Sequence, residues 1–324
     1  MEREFGEKLE SQGYHIKGGH FAVKRCKWLR EALTKGRFCY KNTFYGIGSH
    51  RCMQCTPALQ FCSHACVFCW RAQAKNGEMP PESYKWTEPG EMAEAMLWEQ
   101  GRIASGYGGN EKVEKRMWEE AKKPKHVALS LSGEPTIYPH LSELIGEFHR
   151  REMSTFLVSN GTLPKALESL SNLPTQLYLS MVSPELESYE KICRPWIKGG
   201  WGRYEESLDF LKDAKTRTVL RMTLARELNF CKPEGYAKQI EKALPDYVEV
   251  KSFMFVGGSR EPGRGLSLES MIKHGEIKEF AGKLSELTGY IVSEEHAPSR
   301  VVLLCRDEKA LKKRLLVPVN QQRI

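Results

Sequence analysis

Three cysteines, Cys62, Cys66 and Cys69, fall within eight residues, and Phe68 stands directly before the third. A chain with this loop must fold so that three side chains converge. Thiolates so close in sequence can hold three corners of a single [4Fe–4S] cube. The fourth iron then takes no protein ligand from the loop and is open to a small molecule, with Phe68 beside it. Structural zinc is the competing reading. Cys52-x2-Cys55 and Cys66-x2-Cys69 form two Cys-x2-Cys pairs, as zinc ribbons do. Only ten residues separate the pairs, which is short for a ribbon, and zinc leaves Cys62 and Phe68 without a role.

The Cys-x3-Cys-x2-Cys pattern resembles the radical S-adenosylmethionine (SAM) superfamily. The resemblance implies that SAM chelates the open iron through its amino and carboxylate groups. An electron passed to the sulfonium then releases a 5′-deoxyadenosyl radical. The rest of the chain suits such a fold. After helical stretches at 90–104 and 111–122, strands and helices alternate: strands at 127–131, 155–158, 177–181, 219–224 and 247–256, with helices at 141–151, 163–170, 185–192, 203–213, 234–243 and 268–286. Alternation of this kind predicts a parallel sheet with right-handed crossovers. A short strand at 57–61, before the cysteine loop, makes six. Six is too few to close a (β/α)8 barrel and suits a partial (β/α)6 TIM-like barrel of the radical SAM type. Residues 1–20 are expected to start loosely. At the other end, two short strands at 290–293 and 300–305 and a helix near 308–315 follow the glycine-rich break at 257–265.

Barrel-like folds collect their chemistry at the C-terminal ends of the strands. The second strand ends in Gly133-Glu134-Pro135, which resembles the superfamily's glycine–glutamate motif for the SAM amino group. Glycine lets backbone approach closely. Asn160 and Ser180 end the third and fourth strands and can bond ribose hydroxyls or a carboxylate; turn capping explains them as well. Arg221 in the fifth strand can pair with a carboxylate. That strand lacks the glycine-punctuated adenine motif of some radical SAM enzymes. Lys41 and Lys251 are candidates for covalent chemistry, because a neutral amine can form an imine with a keto acid. A phosphate contact for Lys41 and a paired core charge for Lys251 are equally open.

Charge points to an anionic partner. The net charge is +8, and Lys17–Arg51 alone carries nine Lys or Arg against Glu31. Lys24, Arg25, Lys27, Arg30, Lys35 and Arg37 can meet phosphates there, as can Lys312, Lys313 and Arg314 near the C-terminus. The aromatics among them, Phe21, Trp28, Phe38, Tyr40, Phe44 and Tyr45, can stack on unpaired bases or pack against the core. The same segment holds Cys26, Cys39 and Cys52, each separated from the next by twelve residues. Such gaps make no compact metal motif, but seven of the ten cysteines lie between Cys26 and Cys69. That density reads as metal binding in a reducing compartment. Cys193, Cys231 and Cys305 stand alone and are expected to be buried small residues.

With both cysteine groups placed, nearly the whole chain resembles the archaeal-type tRNA 4-demethylwyosine synthases. The resemblance rests on Cys26, Cys39 and Cys52, on Cys62, Cys66 and Cys69, on Trp70-Arg71, on Leu131–Thr136 and on His296-Ala297-Pro298-Ser299-Arg300. It implies that N1-methylguanosine in the anticodon loop of tRNA-Phe condenses with two carbons of pyruvate to give the tricyclic wybutosine precursor. It also implies two [4Fe–4S] clusters, the second on Cys26, Cys39 and Cys52 binding pyruvate, with Lys41 or Lys251 holding it as an imine. The expected division is an N-terminal extension at 1–56, a barrel core at 57–260 and a C-terminal extension at 261–324 that closes the barrel and meets tRNA. No flavodoxin-like domain precedes the barrel, so the electron donor is expected to be a separate protein. No run approaches the roughly 20 apolar residues of a membrane span, and no signal-type run opens the chain. A cytoplasmic monomer is expected. The remaining alternatives are a radical SAM tRNA methyltransferase or methylthiotransferase, and a zinc-stabilised RNA-binding module.

Overall fold

Val127-Ala128-Leu129, Phe156-Leu157-Val158 and Leu177-Tyr178-Leu179 are buried. They are the near-continuous apolar runs that a parallel sheet covered on both faces requires. The computed structural model describes residues 3–73 and 79–316. Among these residues ten strands form one sheet: β1 (Tyr14–Lys17), β2 (Phe21–Lys24), β3 (Cys52–Thr56), β4 (His126–Leu129), β5 (Ser154–Ser159), β6 (Gln176–Met181), β7 (Arg217–Met222), β8 (Tyr247–Lys251), β9 (Ile291–His296) and β10 (Val301–Cys305). The hydrogen-bonded order is β1-β2-β3-β4-β5-β6-β7-β8-β10-β9. Pairing is parallel from β3 to β8 and antiparallel at both flanks. The parallel run is the expected six-strand barrel wall, left open at the edges β1 and β9.

The helices are α1 (Arg3–Ser11), α2 (Lys27–Lys35), α3 (Tyr40–Tyr45), α4 (Pro89–Ser105), α5 (Lys115–Ala121), α6 (Leu141–Arg150), α7 (Pro164–Glu168), α8 (Leu186–Cys193), α9 (Gly200–Asp213), α10 (Pro233–Ala243), α11 (His274–Thr288) and α12 (Glu308–Lys312). No helix among the described residues is long and apolar enough to cross a membrane. In α6 the buried Leu141, Leu144, Ile145 and Phe148 fall on one stripe, the helical spacing of a face laid on a sheet. Alternate strand residues part to opposite faces. Leu157, Leu177, Leu179, Leu220 and Val248 pack with the helices. Phe156, Val158, Tyr178, Val219 and Tyr247 point inward, where they meet Val301 and Leu303 of β10 and Phe44, Tyr45 and Ile47 at the end of α3. The segment after Cys39 therefore fills the barrel interior.

Three expectations need correction. The strand before the cysteine loop is Cys52–Thr56, not 57–61. Pro57 ends it, since proline has no amide to give to a ladder, and residues 57–61 already belong to the loop. Residues 3–20 are ordered: α1 is followed by the β1–β2 hairpin, turned by Gly18 and Gly19 at φ of +53° and +70°. The last barrel strand stops at Lys251 rather than Val256.

Candidate active site

The cysteine loop leaves β3 and crosses the C-terminal mouth of the barrel, stitched on both sides. The Glu134 amide donates to the Phe61 carbonyl at 2.8 Å, and the Trp196 amide to that of Ser63 at 2.8 Å. The end of α8 accepts twice, from Ala65 to the Cys193 carbonyl and from Val67 to the Ile192 carbonyl, each at 2.9 Å. Arg264 donates to the Cys66 carbonyl at 3.0 Å, and His64 Nε2 bonds Tyr189 Oη at 2.7 Å. Burial pushes His64 down to about 4, so the ring stays neutral.

This loop turns Cys62, Cys66, Phe68 and Cys69 into one cavity of about 240 Å³. Gly133, Glu134, Asn160, Ser180, Arg221 and Lys251 line the same cavity from the ends of β4 to β8. Pro135 is not among the lining residues; it opens the turn that carries Glu134. The three thiols are raised, Cys62 and Cys69 chiefly by burial and Cys66 first by a hydrogen bond with Cys193 and then by burial. Buried thiolates repel one another, so three of them lining one cavity call for a cationic occupant. The residues thus fit an iron–sulfur cluster, whose ligands must be thiolates.

Glu134 acts through the scaffold. Its carboxylate accepts from the Thr136 amide at 3.2 Å, the Thr136 hydroxyl at 2.7 Å and the Asn160 amide at 2.8 Å, and so ties the end of β4 to that of β5. Gly133 has φ of +75°, and a Cβ there would lie 1.8 Å from the Ala58 carbonyl oxygen and 2.6 Å from that of Phe61. Only glycine lets the cysteine loop lie this close. Gly133→Ala is expected to cost on the order of 3 kcal/mol and to lower iron occupancy with it. Anaerobic thermal unfolding and iron analysis check this.

Cys26 precedes α2, Cys39 precedes α3 and Cys52 opens β3. Folding closes the two twelve-residue gaps. The Cys39 amide donates to Ser49 Oγ at 2.8 Å, which draws α3 against the turn before Cys52. Burial raises Cys52 to about 12, the Lys41 ammonium opposes this, and thiolates at Cys39 and Cys26 add to it. The second triplet and Lys41 thus share one neighbourhood, outside the lining of the first cavity.

Buried polar groups surround both lysines. Glu249 on β8 is fully buried and accepts from Tyr40 Oη at 3.1 Å and Tyr45 Oη at 2.8 Å. The Lys41 amine sits 4.5 Å from the Phe156 ring centroid and 4.8 Å from that of Tyr178. Burial lowers its pKa, while Cys52 and then Glu249 oppose the shift. Lys251 is pushed down to about 8, first by burial and then by Arg221. Its amine donates to the Ser252 carbonyl at 3.2 Å and the Ser299 carbonyl at 3.0 Å.

The basic residues divide. Arg25, Lys27, Arg30, Lys35, Arg37, Lys312 and Lys313 are exposed, although Arg30 and Lys35 both pair with the buried Glu31. Lys24 is half-buried, 4.1 Å from the Tyr14 ring centroid. Arg314 departs from the expectation of a free phosphate contact. It pairs with Glu294 and donates to the carbonyls of Thr43 and Phe44, clamping the C-terminal segment to α3. Phe21, Phe44 and Tyr45 are buried, so they pack rather than stack. Of the solitary cysteines, Cys193 and Cys305 are buried as expected and Cys231 is exposed. Sequence reasoning missed His64, Tyr189, Cys193, Glu249 and Arg264. The strand-end rule marks none of them.

Comparison with known proteins agrees with this geometry. Residues 57–240 match the radical SAM superfamily and residues 242–306 match a family described as wyosine base formation. S-adenosyl-L-methionine-dependent tRNA 4-demethylwyosine synthase of Pyrococcus horikoshii is 46% identical, over 95% of this chain and 90% of that one. The protein of the same name from Methanocaldococcus jannaschii is 40% identical, over 95% and 97%. A solved structure described as TYW1 with a lysine–pyruvate adduct bound superposes with a TM-score of 0.85 at 40% identity, covering 94% of this chain and 96% of that one. A crystal structure of archaeal TYW1 gives 0.78 at 36% identity, with the same coverage. SAM, an iron–sulfur cluster and a tRNA substrate follow from these matches. The chain belongs to the S-adenosyl-L-methionine-dependent tRNA 4-demethylwyosine synthases of the radical SAM superfamily.

Proposed function

We propose that this enzyme condenses N1-methylguanosine in the anticodon loop of tRNA-Phe with two carbons of pyruvate. The observation that carries the reading is the pair of thiol triplets in one barrel, with Lys251 lining the cavity of the first and Lys41 beside the second. Cys62, Cys66 and Cys69 would hold the cluster that binds SAM, and Cys26, Cys39 and Cys52 a second [4Fe–4S] cluster that receives pyruvate. The SAM cluster supplies a 5′-deoxyadenosyl radical able to take hydrogen from the N1 methyl group. Phe68, Gly133, Asn160 and Ser180 would seat SAM beside the first triplet, with Glu134 holding the strand ends in register. Arg221 would face a carboxylate within the barrel, where a guanidinium pairs well.

Of the two lysines, the surroundings favour Lys41 as the amine that takes pyruvate. Lys251 is committed to two backbone carbonyls, whereas Lys41 meets ring faces and the second thiol group. Attack of the neutral amine on the keto carbon forms C=N and releases water. Because Cys52–Thr56 is itself the first barrel strand, the expected boundary at 56 moves back, and residues 3–51 and 261–316 would frame the barrel and carry the tRNA surface, with electrons from a separate donor protein.

Anaerobic turnover with methylated tRNA, SAM, a low-potential reductant and labelled pyruvate tests the reaction. Label in the keto and methyl carbons should enter the tRNA, and carboxylate label should not. No label in tRNA from any position overturns the reading. The tRNA surface has its own test. Alanine at Arg25, Lys27 and Arg37 should weaken binding. For every phosphate that a variant no longer neutralises, the slope of log affinity against log salt should fall by about one. Arg314→Ala should lower the melting temperature instead, because its partners are internal.

A further inference from the structure

Cys193 is fully buried at the last position of α8. Its sulfur lies within 4.8 Å of both the Cys66 sulfur and a ring nitrogen of His64. The placement is enforced by backbone. The Cys193 and Ile192 carbonyls take the Ala65 and Val67 amides, so the helix end grips the loop on either side of Cys66. His64 is held by Tyr189 of the same helix at 2.7 Å, and Val67, Ile192 and Cys193 share one apolar cluster with Tyr189. Arg194, directly after α8, adopts φ of +45°, which turns the chain back along the loop. The three groups do not make an independent metal site, because Cys66 belongs to the cluster motif and the His64 ring is taken by Tyr189.

We infer that, once iron holds Cys66 as a thiolate that can no longer donate, Cys193 donates an S–H hydrogen bond to it and thereby raises the reduction potential of the cluster on Cys62, Cys66 and Cys69. The inference rests on that cluster assignment. An added electron puts more negative charge on the cluster sulfurs and their thiolates. A donor aimed at one thiolate therefore stabilises the reduced state more than the oxidised state. Hydrogen bonds to sulfur are among the levers that set these potentials, and they act strongly where water is excluded. A thiol is a weak donor, so the effect is modest. Cys193 is a positioning residue: it touches a ligand and not the substrate.

An anaerobic redox titration of the cluster, followed by electron paramagnetic resonance and normalised to bound iron, tests this. At a fixed potential near the wild-type midpoint, Cys193→Ala should lower the reduced-to-oxidised ratio about threefold, or roughly 28 mV at 59 mV per decade for one electron. Cys193→Ser keeps a donor and should recover part or all of the shift. Cys305→Ala, which removes a buried thiol in the interior cluster away from the loop, should leave the midpoint unchanged. Should Cys193→Ala load no cluster, Cys193→Val, which fills the space and donates nothing, is read against Cys193→Ser. An unshifted midpoint in the Ala or Val variant overturns the inference, as does an equal shift in the donor and non-donor variants. Absence of a reducible SAM-responsive cluster from the wild-type protein instead overturns the assignment beneath it.

Discussion

Replacing Cys62, Cys66 and Cys69 together with alanine is expected to reduce SAM cleavage to background and to halve the bound iron, from about eight atoms per chain to about four. The first effect is large because nothing nearby can substitute. Among the described residues, Cys193 brings a further thiol to the loop, and it approaches the Cys66 corner only. The second effect follows from the separation of the two triplets. Cys26, Cys39 and Cys52 depend on α2, α3 and the start of β3, whereas the cysteine loop depends on Gly133, α8 and Arg264. Losing the first set removes no backbone hydrogen bond from the second. The fold should survive as well, since each change deletes a single sulfur from a partly exposed side chain. Iron and sulfide analysis, resonance spectra and assay of 5′-deoxyadenosine under strong reductant measure the outcome. Cleavage above background in the triple variant would remove these cysteines from the SAM site. Loss of all iron would remove the second cluster.

The reverse replacement, at Cys26, Cys39 and Cys52, should keep cleavage and lose pyruvate-dependent product. The readability of the sequence was uneven along the same division. The first triplet was legible because its ligands are adjacent in the chain, and the loop stays short whatever else folds. Gly133, Asn160 and Ser180 were legible because period-two strands fix where a strand ends, and chemistry collects there. α1 was not legible: Gly6 and Leu9 are its buried residues, so it shows little apolar periodicity to read. β3 was misplaced because Met53 and Cys55 give only a brief alternation, and the eye moves past Pro57 to the more apolar 58–61. Glu249 lies on the last barrel strand, where its two tyrosine donors arrive from about two hundred residues earlier in the chain. Arg264 sits in a glycine-rich break, and only the fold brings it to Cys66. Contacts of this kind depend on which distant segments meet, and neither local pattern nor composition carries that information.

Lys41→Met is expected to remove pyruvate incorporation by at least about 10³-fold while SAM cleavage continues, because the amine and the second triplet together hold a substrate too small to be fixed by shape. A keto acid held through an imine at one end and a metal at the other is confined to one orientation, and confinement of that order can lower a barrier by several kcal/mol. Methionine keeps the length and apolar stem of lysine, so the Phe156 and Tyr178 ring faces remain covered. Removing a desolvated ammonium also lifts a burial penalty, so the melting temperature should hold. A fall in activity with the melting temperature intact then reports chemistry rather than unfolding. Lys251→Met is expected to behave differently. It strips two hydrogen bonds from the Ser252 and Ser299 carbonyls, where the end of β8 meets the turn before β10, and should lower the melting temperature more than it lowers pyruvate binding. Reductive trapping with cyanoborohydride and labelled pyruvate, followed by peptide mass spectrometry, decides between the two amines. The label should stay on the peptide containing Lys41 and be absent from the Lys41→Met protein. Label on Lys251, or undiminished product from Lys41→Met, would assign the imine to Lys251 and leave Lys41 as a buried counter-charge to the thiolates beside it.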